Sequence, residues 1–565
     1  MLKSSPAVWL KWLFAAIVFI ASWCFLFWKC RFGFGNIDEA FYLTIPYRLC
    51  QGDSLLVNEW HLSQTSGFLL LPAMRLHMLI FGSTEGIILH FRYLYTAVWG
   101  VSAAFFFYRL KSYTFWGAAI ASLMFMIYAP FGIMALSYNS MGILFLLNTI
   151  IIAFTAKKHL RVQYVFAGIS FAGAVLCCPY LAAVYVLFAV TALIAIRLCK
   201  GENRRIIKEF LIWTTVGCAL LAAIFAVYVL SHAPLSDIIK AFPTMMQDPE
   251  HPPMTLLTKF IIYISAILHS APHLKWMAIS TILLIICGMR FKRLRGIFLI
   301  GICCVALWYL YPLAFQKRYL NYVMLPLTLI GIYCGFTTNS KQIRGLFIGV
   351  LTGLLYTFCI HMASNQAFFA ISSAATVSSV ISAVMLPMYI TEITQEPENK
   401  IPKICTVLPS VLLILCLLGS ETLLRYNSIF WESSKISDEN ILLEKGPEKG
   451  IFSNTARTDE YQRQYEKARP IFEGQYGKNV LFLSDITWYY LCGNIRSCAY
   501  SSWLSGVTED TVQRLVTYYE ICSEKLPDVI FLEDIAIPYI ETFFPLGYTV
   551  STLDNGSVIL LQNAT

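Results

Sequence analysis

The chain has 565 residues, of which 58% are hydrophobic and only 13% charged, about half the charged share of an average soluble domain. Its mean hydropathy is +0.64, and apolar runs long enough to cross a bilayer recur along most of its length, which excludes a soluble enzyme and marks a polytopic helical membrane protein. The formal charge of +9 comes from short basic clusters between apolar runs and not from a continuous stripe, so nucleic acid is excluded as a partner and the lipid bilayer is expected as one.

Most of the 17 cysteines, Cys218, Cys287, Cys303, Cys304, Cys334 and Cys416 among them, lie inside apolar runs and act as small hydrophobes. No CxxC pair or His/Cys cluster has zinc spacing, so no structural metal is expected. Residues 8–28 form the first apolar run, without a convincing small-residue cleavage site, and read as a retained signal-anchor. Further spans are expected over 93–110, 113–130, 132–155, 162–178, 180–198, 207–230, 274–290, 296–313, 321–337, 345–361, 368–390 and 404–421, for a total of about thirteen. One set of alternate loops carries the basic clusters, for example Lys157, Lys158 and Arg161, or Arg290, Lys292, Arg293 and Arg295. The positive-inside rule places that set and the N-terminus in the cytoplasm. The loop 30–92, the loop 231–273, the Lys317-Arg318 loop and the tail from 422 then lie outside.

Within 30–92, the apolar stretch 67–81 contains Pro72, Arg75 and His77; it is short for a span and suits an interfacial or re-entrant helix. Pro234, Pro243, Pro249, Pro252 and Pro253 make 231–273 start as an irregular loop, with a surface helix over 254–269. From 422 the composition turns polar. Weak helical patterning around 458–467, strands at 479–484, 528–532 and 557–562, and a helix at 508–523 predict a small α/β domain. The chain thus divides into a transmembrane domain, 1–421, and an extracytoplasmic domain, 422–565. Cys492 and Cys498 are either a disulfide or two free thiols, since spacing does not fix their Cα distance. Asn555-Gly-Ser and Asn563-Ala-Thr match the glycosylation sequon.

The loop 30–92 opens with the adjacent acids Asp38 and Glu39, just beyond the first span. A charge close to hydrocarbon costs roughly 3 kcal/mol or more unless it lines a wet cavity or has a partner. Two readings stand: an active-site loop, or acids that solvate the loop and complement the dipole of a helix over 40–49. On such a helix the two side chains diverge by about 100°, so they do not flank one bond together.

The loop closes with Phe81-Gly82-Ser83-Thr84-Glu85 and Arg92 at the mouth of the second span. Later, Lys317-Arg318-Tyr319-Leu320, followed by Pro326, enters a span from outside. In order and sidedness these features resemble the GT-C superfamily of glycosyltransferases, of the ArnT, protein-mannosyltransferase and RgtA-D-like kind, most sharply over 30–100 and 311–330. The resemblance implies a multi-spanning all-α membrane domain, with its active site in the outer loop, and a polyprenyl-phosphate-linked sugar donor. The acceptor would be a cell-envelope glycan, lipid or protein. It is compatible with a divalent metal but names no certain cofactor. Two departures stand out. Asn139, in Leu136-Ser137-Tyr138-Asn139, occupies the place of a second carboxylate, and Ser66-Gly67-Phe68 to Pro72 carries no lysine beside the proline.

Transfer from a lipid phosphate needs a base for the acceptor proton, cations for the leaving phosphate, and a dry pocket. Asp38 suits the base, if partial burial raises its pKa, with Glu39 in hydrogen-bonding or metal support. One base without a separate nucleophile implies direct displacement with inversion. Arg318 with Lys317 and Tyr319 suits the leaving phosphate, or anchors a helix end at the headgroups. Arg92 and Arg75 are second choices for phosphate, and Arg92 alternatively pairs with Glu85, two helical turns away. His61 and Trp60 either contact sugar or phosphate or sit at the interface. Tyr138 and Asn139 either hydrogen-bond the sugar or pack in the bundle. A transporter or flippase of lipid-linked sugars would show charges at mid-span and paired interrupted helices, and neither is evident. A non-catalytic envelope assembly protein would leave the acidic pair incidental.

Overall fold

Apolar runs bounded by basic clusters become helices here because a helix satisfies its own backbone in lipid. The computed structural model describes residues 6–35, 37–157, 159–247, 254–271, 273–313, 322–364, 367, 370–396, 401–427, 429, 435–475, 477–504 and 506–563. The helices are α1 (Pro6–Lys29), α2 (Asp38–Cys50), α3 (Thr65–Phe81), α4 (Ile87–Leu110), α5 (Phe115–Ile127), α6 (Tyr138–Thr155), α7 (Leu160–Cys177), α8 (Leu181–Leu198), α9 (Gly201–His232), α10 (Leu235–Met245), α11 (Leu256–His269), α12 (Leu274–Arg290), α13 (Arg295–Leu313), α14 (Leu325–Thr337), α15 (Lys341–Ser364), α16 (Thr376–Gln395) and α17 (Lys403–Asn427). Nine of the described helical stretches are long and apolar enough to cross a membrane. Helices α4, α5 and α14 also occupy expected spans without meeting both conditions, and α11 and α12 form a pair bent by 94°. The chain is a multi-pass membrane protein.

Helix α16 runs through the middle of the helical layer. It is buried along most of its length and packs against α5, α14 and α15. Helices α7 and α9 cross at Gly168 and Gly217, where a Cβ would lie 2.1 Å from a backbone oxygen of the facing helix. Only glycine allows that approach, the usual device for close packing in lipid.

The tail carries a short hairpin, β1 (Ile441–Leu442) with β2 (Phe452–Ser453), then helix α18 (Thr455–Gly474). Strands β3 (Asn479–Leu483), β4 (Arg496–Ser497), β5 (Val529–Leu532), β6 (Tyr548–Thr552) and β7 (Val558–Gln562) form one sheet in the order β4-β3-β5-β7-β6, with α19 (Glu509–Ile521) before β5. β3 and β5 are parallel, with Leu481 beside Ile530 and Phe482 beside Phe531. Their unbroken apolar runs match strands covered on both faces.

One expectation needs correction. The start of 231–273 is helix α10 and not irregular loop. Pro234 is its N-cap and Pro243 falls in its last turn, places where the missing N–H costs little or only one bond; Pro249, Pro252 and Pro253 lie outside the described residues. The short strands β4 and β6 were not expected. Helix α17 ends at Asn427. Cys492 and Cys498 are free thiols, both buried.

The tail and the first loop share one hydrophobic core. Phe34, Leu43, Trp60 and Phe91 pack with Tyr461, Trp488, Tyr500 and Tyr518. Polar contacts fix the register. Trp60 N donates to the Tyr500 carbonyl (2.7 Å), Gln51 Nε2 to the Ile495 carbonyl (2.7 Å) and Gly33 N to the Phe452 carbonyl (2.7 Å). At their centre Arg48 is fully buried: Nε meets Asp53 Oδ2 and Nη1 meets Glu59 Oε2, each at 2.7 Å, and Nη2 donates to the Ala499 carbonyl at 2.9 Å. Lys525 of the tail also donates to Asp53. Desolvation pushes the Glu59 carboxyl above its usual range, opposed by Arg48.

Candidate active site

Helix α2 begins at the acidic pair, which puts both carboxylates in its first turn, where the positive end of the helix dipole favours them. Glu39 points inward and is 1% exposed, and Arg92 at the start of α4 grips it with Nε–Oε1 at 2.5 Å and Nη2–Oε2 at 2.6 Å. Arg92 Nη1 also donates to the Cys30 carbonyl at 2.8 Å. One guanidinium thus ties the end of α1 and the starts of α2 and α4. From the tail, Thr487 Oγ1 donates to the carbonyl of Ile37, directly before the pair, at 2.7 Å.

Asp38 faces elsewhere and is half-buried. Its partner on the same helix face is Tyr42, one turn on. Burial first, then the charge of Asp38, holds the Tyr42 phenol well above its ordinary range, while a hydrogen bond with Asn139 pulls the other way. Tyr138 stands edge-on to Tyr42, ring centroids 5.7 Å apart. Both Tyr138 and Asn139 are placed by the cap of α6: Ser137 Oγ accepts from Ser140 N (3.2 Å), and Ser140 Oγ accepts from Ser137 N (2.8 Å). Phe41, Ile45, Ile133 and Ala135 form the apolar floor, with Phe131, Tyr138 and Trp503 packed on it. Phe131 holds φ +57 beside this floor, a conformation that costs a residue other than glycine about 1 kcal/mol or more. His61 Nδ1 accepts from Ser63 Oγ at 2.7 Å, and its ring lies against Phe41 at 4.6 Å.

The structure therefore brings Asp38, Tyr138 and Asn139 to Tyr42, and His61 to Phe41 and Trp503; the sequence did not single out Tyr42 or Trp503. Glu39 and Arg92 form the support behind them. Trp60 is 1% exposed, with Nε1 on the Val57 carbonyl (2.8 Å) and its ring stacked on Tyr500, so it belongs to the seam between loop and tail. Arg75 is exposed on α3, away from this group and beside Cys50. Of the two readings of Arg92, phosphate ligand or partner of Glu85, the second is not found: Arg92 is paired with Glu39. Gly86, at φ +68, is the N-cap of α4, so Glu85 lies outside the helix and reaches Lys449 of the tail at 2.7 Å instead. Lys317, Arg318 and Tyr319 lie outside the described residues. Among the described residues no three His, Cys, Asp or Glu side chains converge as a metal site. Among the described residues of this group Glu39 is paired with Arg92, so the acidic pair does not offer both carboxylates to one tightly held divalent ion.

No family model matches the chain, and no curated protein matches it. Among solved structures, it is similar to the oligosaccharyltransferase AglB of Archaeoglobus fulgidus in complex with an inhibitory peptide and a dolichol-phosphate, at 12% identity and a TM-score of 0.47, over 98% of this chain and 75% of that one. The same organism's oligosaccharyltransferase with Zn and sulfate aligns at 13% identity and a TM-score of 0.47, over 97% and 72% of the two chains. At this level the likeness concerns the course of the chain alone and says nothing of individual side chains.

Proposed function

We propose that this chain is a GT-C-like membrane glycosyltransferase that moves a sugar from a polyprenyl-phosphate donor to an envelope acceptor at the outer face of the cell membrane. The carrying observation is the division of labour in the acidic pair. Glu39 is consumed by Arg92, whereas Asp38 is half-buried beside Tyr42, the phenol that Asn139 hydrogen-bonds and Tyr138 packs against. Carboxylate, phenols and amide around one spot are what a hydroxyl-activating site needs. Asp38 accepts the proton of the acceptor hydroxyl. The acceptor oxygen bonds to the anomeric carbon from the side opposite the leaving group. The carbon–oxygen bond to phosphate breaks, and the polyprenyl phosphate departs with the electron pair. One base and one displacement give inversion. Asn139 and Tyr138 orient the sugar, His61 borders it, and Lys317 and Arg318 are assigned to the leaving phosphate. Glu39 acts by fixing the start of α2.

The test is sugar transfer by purified protein in detergent, offering polyprenyl-phosphate sugars and extracted envelope acceptors. Asp38→Asn should lose at least about a hundredfold in rate. Equal turnover by both proteins removes Asp38 from the chemistry. Movement of the donor lipid across liposomes without any transfer would instead establish a carrier.

A further inference from the structure

The tail delivers an aromatic side chain to the candidate site. Trp503 packs edge-on against Phe41 at 5.4 Å and lies near-parallel to His61 at 6.1 Å. Its backbone is held in place: Trp503 N donates to Ser501 Oγ (3.1 Å), the Ser502 hydroxyl bonds the Thr44 hydroxyl of α2, and Leu504 is buried. Ser501, Ser502 and Leu504 are all buried, whereas Trp503 between them is only half-buried. A rigidly presented indole that keeps part of its surface uncovered can offer that surface to a ligand, and Trp is enriched at such contacts. Tyr42 and Tyr138 belong to the same cluster as Trp503, Asn139 hydrogen-bonds the Tyr42 phenol, and Asp38 lies one helical turn before Phe41, the ring on which the indole packs.

We infer that Trp503 is the platform for a carbohydrate acceptor, an assignment that rests on the transferase reading. A pyranose ring has an apolar C–H face and a rim of hydroxyls. The indole face suits the first, through the negative face of its π-system, and the polar rim of the site suits the second. Trp503 comes from the tail, whereas the donor's lipid must run into the helical layer. The platform therefore serves the acceptor ring and presents its hydroxyl to Asp38. It is a specificity-determining residue that holds no proton.

The test compares full-length wild type, Trp503→Ala and Trp503→Phe in a detergent without sugar, with a polyprenyl-phosphate hexose and pentose panel as donor and delipidated envelope glycan as acceptor. Two rates are read: donor hydrolysis by water without acceptor, and transfer against acceptor concentration. Trp503→Ala should raise the acceptor KM by about tenfold or more and leave donor hydrolysis and donor KM unchanged; Trp503→Phe should recover part of the loss. A parallel fall in hydrolysis and transfer, or a rise in donor KM alone, overturns the acceptor assignment. Product that is protease-sensitive overturns the carbohydrate assignment in favour of a peptide acceptor. Wild type that neither hydrolyses nor transfers any donor overturns the transferase reading itself, and the platform falls with it.

Discussion

Arg92 holds Glu39 through two parallel hydrogen bonds, at 2.5 and 2.6 Å, although 53 residues separate them. Both side chains are nearly inaccessible, so removing one leaves the other charged without a counter-ion. Glu39→Gln or Arg92→Met alone should cost about 3–5 kcal/mol, whereas the double replacement Glu39→Gln with Arg92→Met should fall well short of the sum of the two. Unfolding of the detergent-solubilised protein in a double-mutant cycle reads this. Additive losses in the double variant would refute the coupling.

The same logic separates the neighbours in the pair. Asp38 is half-buried and lies outside that grip. Asp38→Asn should leave the unfolding midpoint within the equivalent of about 0.5 kcal/mol while abolishing transfer. A midpoint as low as that of Glu39→Gln would show that Asp38 is structural too.

The tail is locked to the first loop through Asp53, which accepts from both Arg48 and Lys525. Asp53→Ala strands the buried Lys525 and leaves Arg48 with Glu59 alone, and should cost about 3–5 kcal/mol. Lys525→Met leaves Asp53 with Arg48 and should cost about 1.5–3 kcal/mol. Limited proteolysis, scoring release of the tail, should rank them in that order. Equal resistance to wild type would mean that the shared apolar core alone holds the tail.

Helices and central tail strands were readable because periodicity and apolar runs encode them locally. Thr508, for instance, caps α19 by accepting from Thr511 N, and β3 and β5 are continuous apolar runs. Prolines misled at α10, where their positions at the N-cap and in the last turn matter more than their number. The alternative Arg92–Glu85 pair required an unbroken helix, and Gly86 caps α4 after Glu85. The acidic pair was visible, but which acid is spent on structure depends on a guanidinium from another helix. Trp503 lies in a segment without periodicity, and only the docking of the tail on α2 gives it a place.

Asn139 hydrogen-bonds the Tyr42 phenol, on which the charge of Asp38 also acts. Asn139→Asp places a second negative charge in the same group as Asp38. A like charge disfavours ionisation, so the acid limb of the pH–rate profile should move up, on the order of one unit. Asn139→Ala should instead lower the rate with the limb unmoved. A profile for Asn139→Asp that superimposes on wild type would separate Asn139 from Asp38.

Glu448, in the tail segment that seats against the start of α4, is fully buried, and Tyr461, Glu39 and Arg92 surround it. Gly86 N and Ile88 N donate to the carbonyls of Gly446 and Pro447 there, at 3.0 and 3.2 Å. Burial pushes the Glu448 carboxyl from 4.5 up to about 8, with Glu39 adding to the rise and Arg92 opposing it. The folded state therefore binds a proton that the unfolded chain has released, between those two values. Stability must fall as pH rises through that window and level off above about 8. Glu448→Gln keeps the neutral shape without the proton. It should match wild type near the bottom of the window, exceed it at the top, and flatten the decline. Unfolding midpoints at both ends of the window check this, and a variant that declines as steeply as wild type would place the proton on another group.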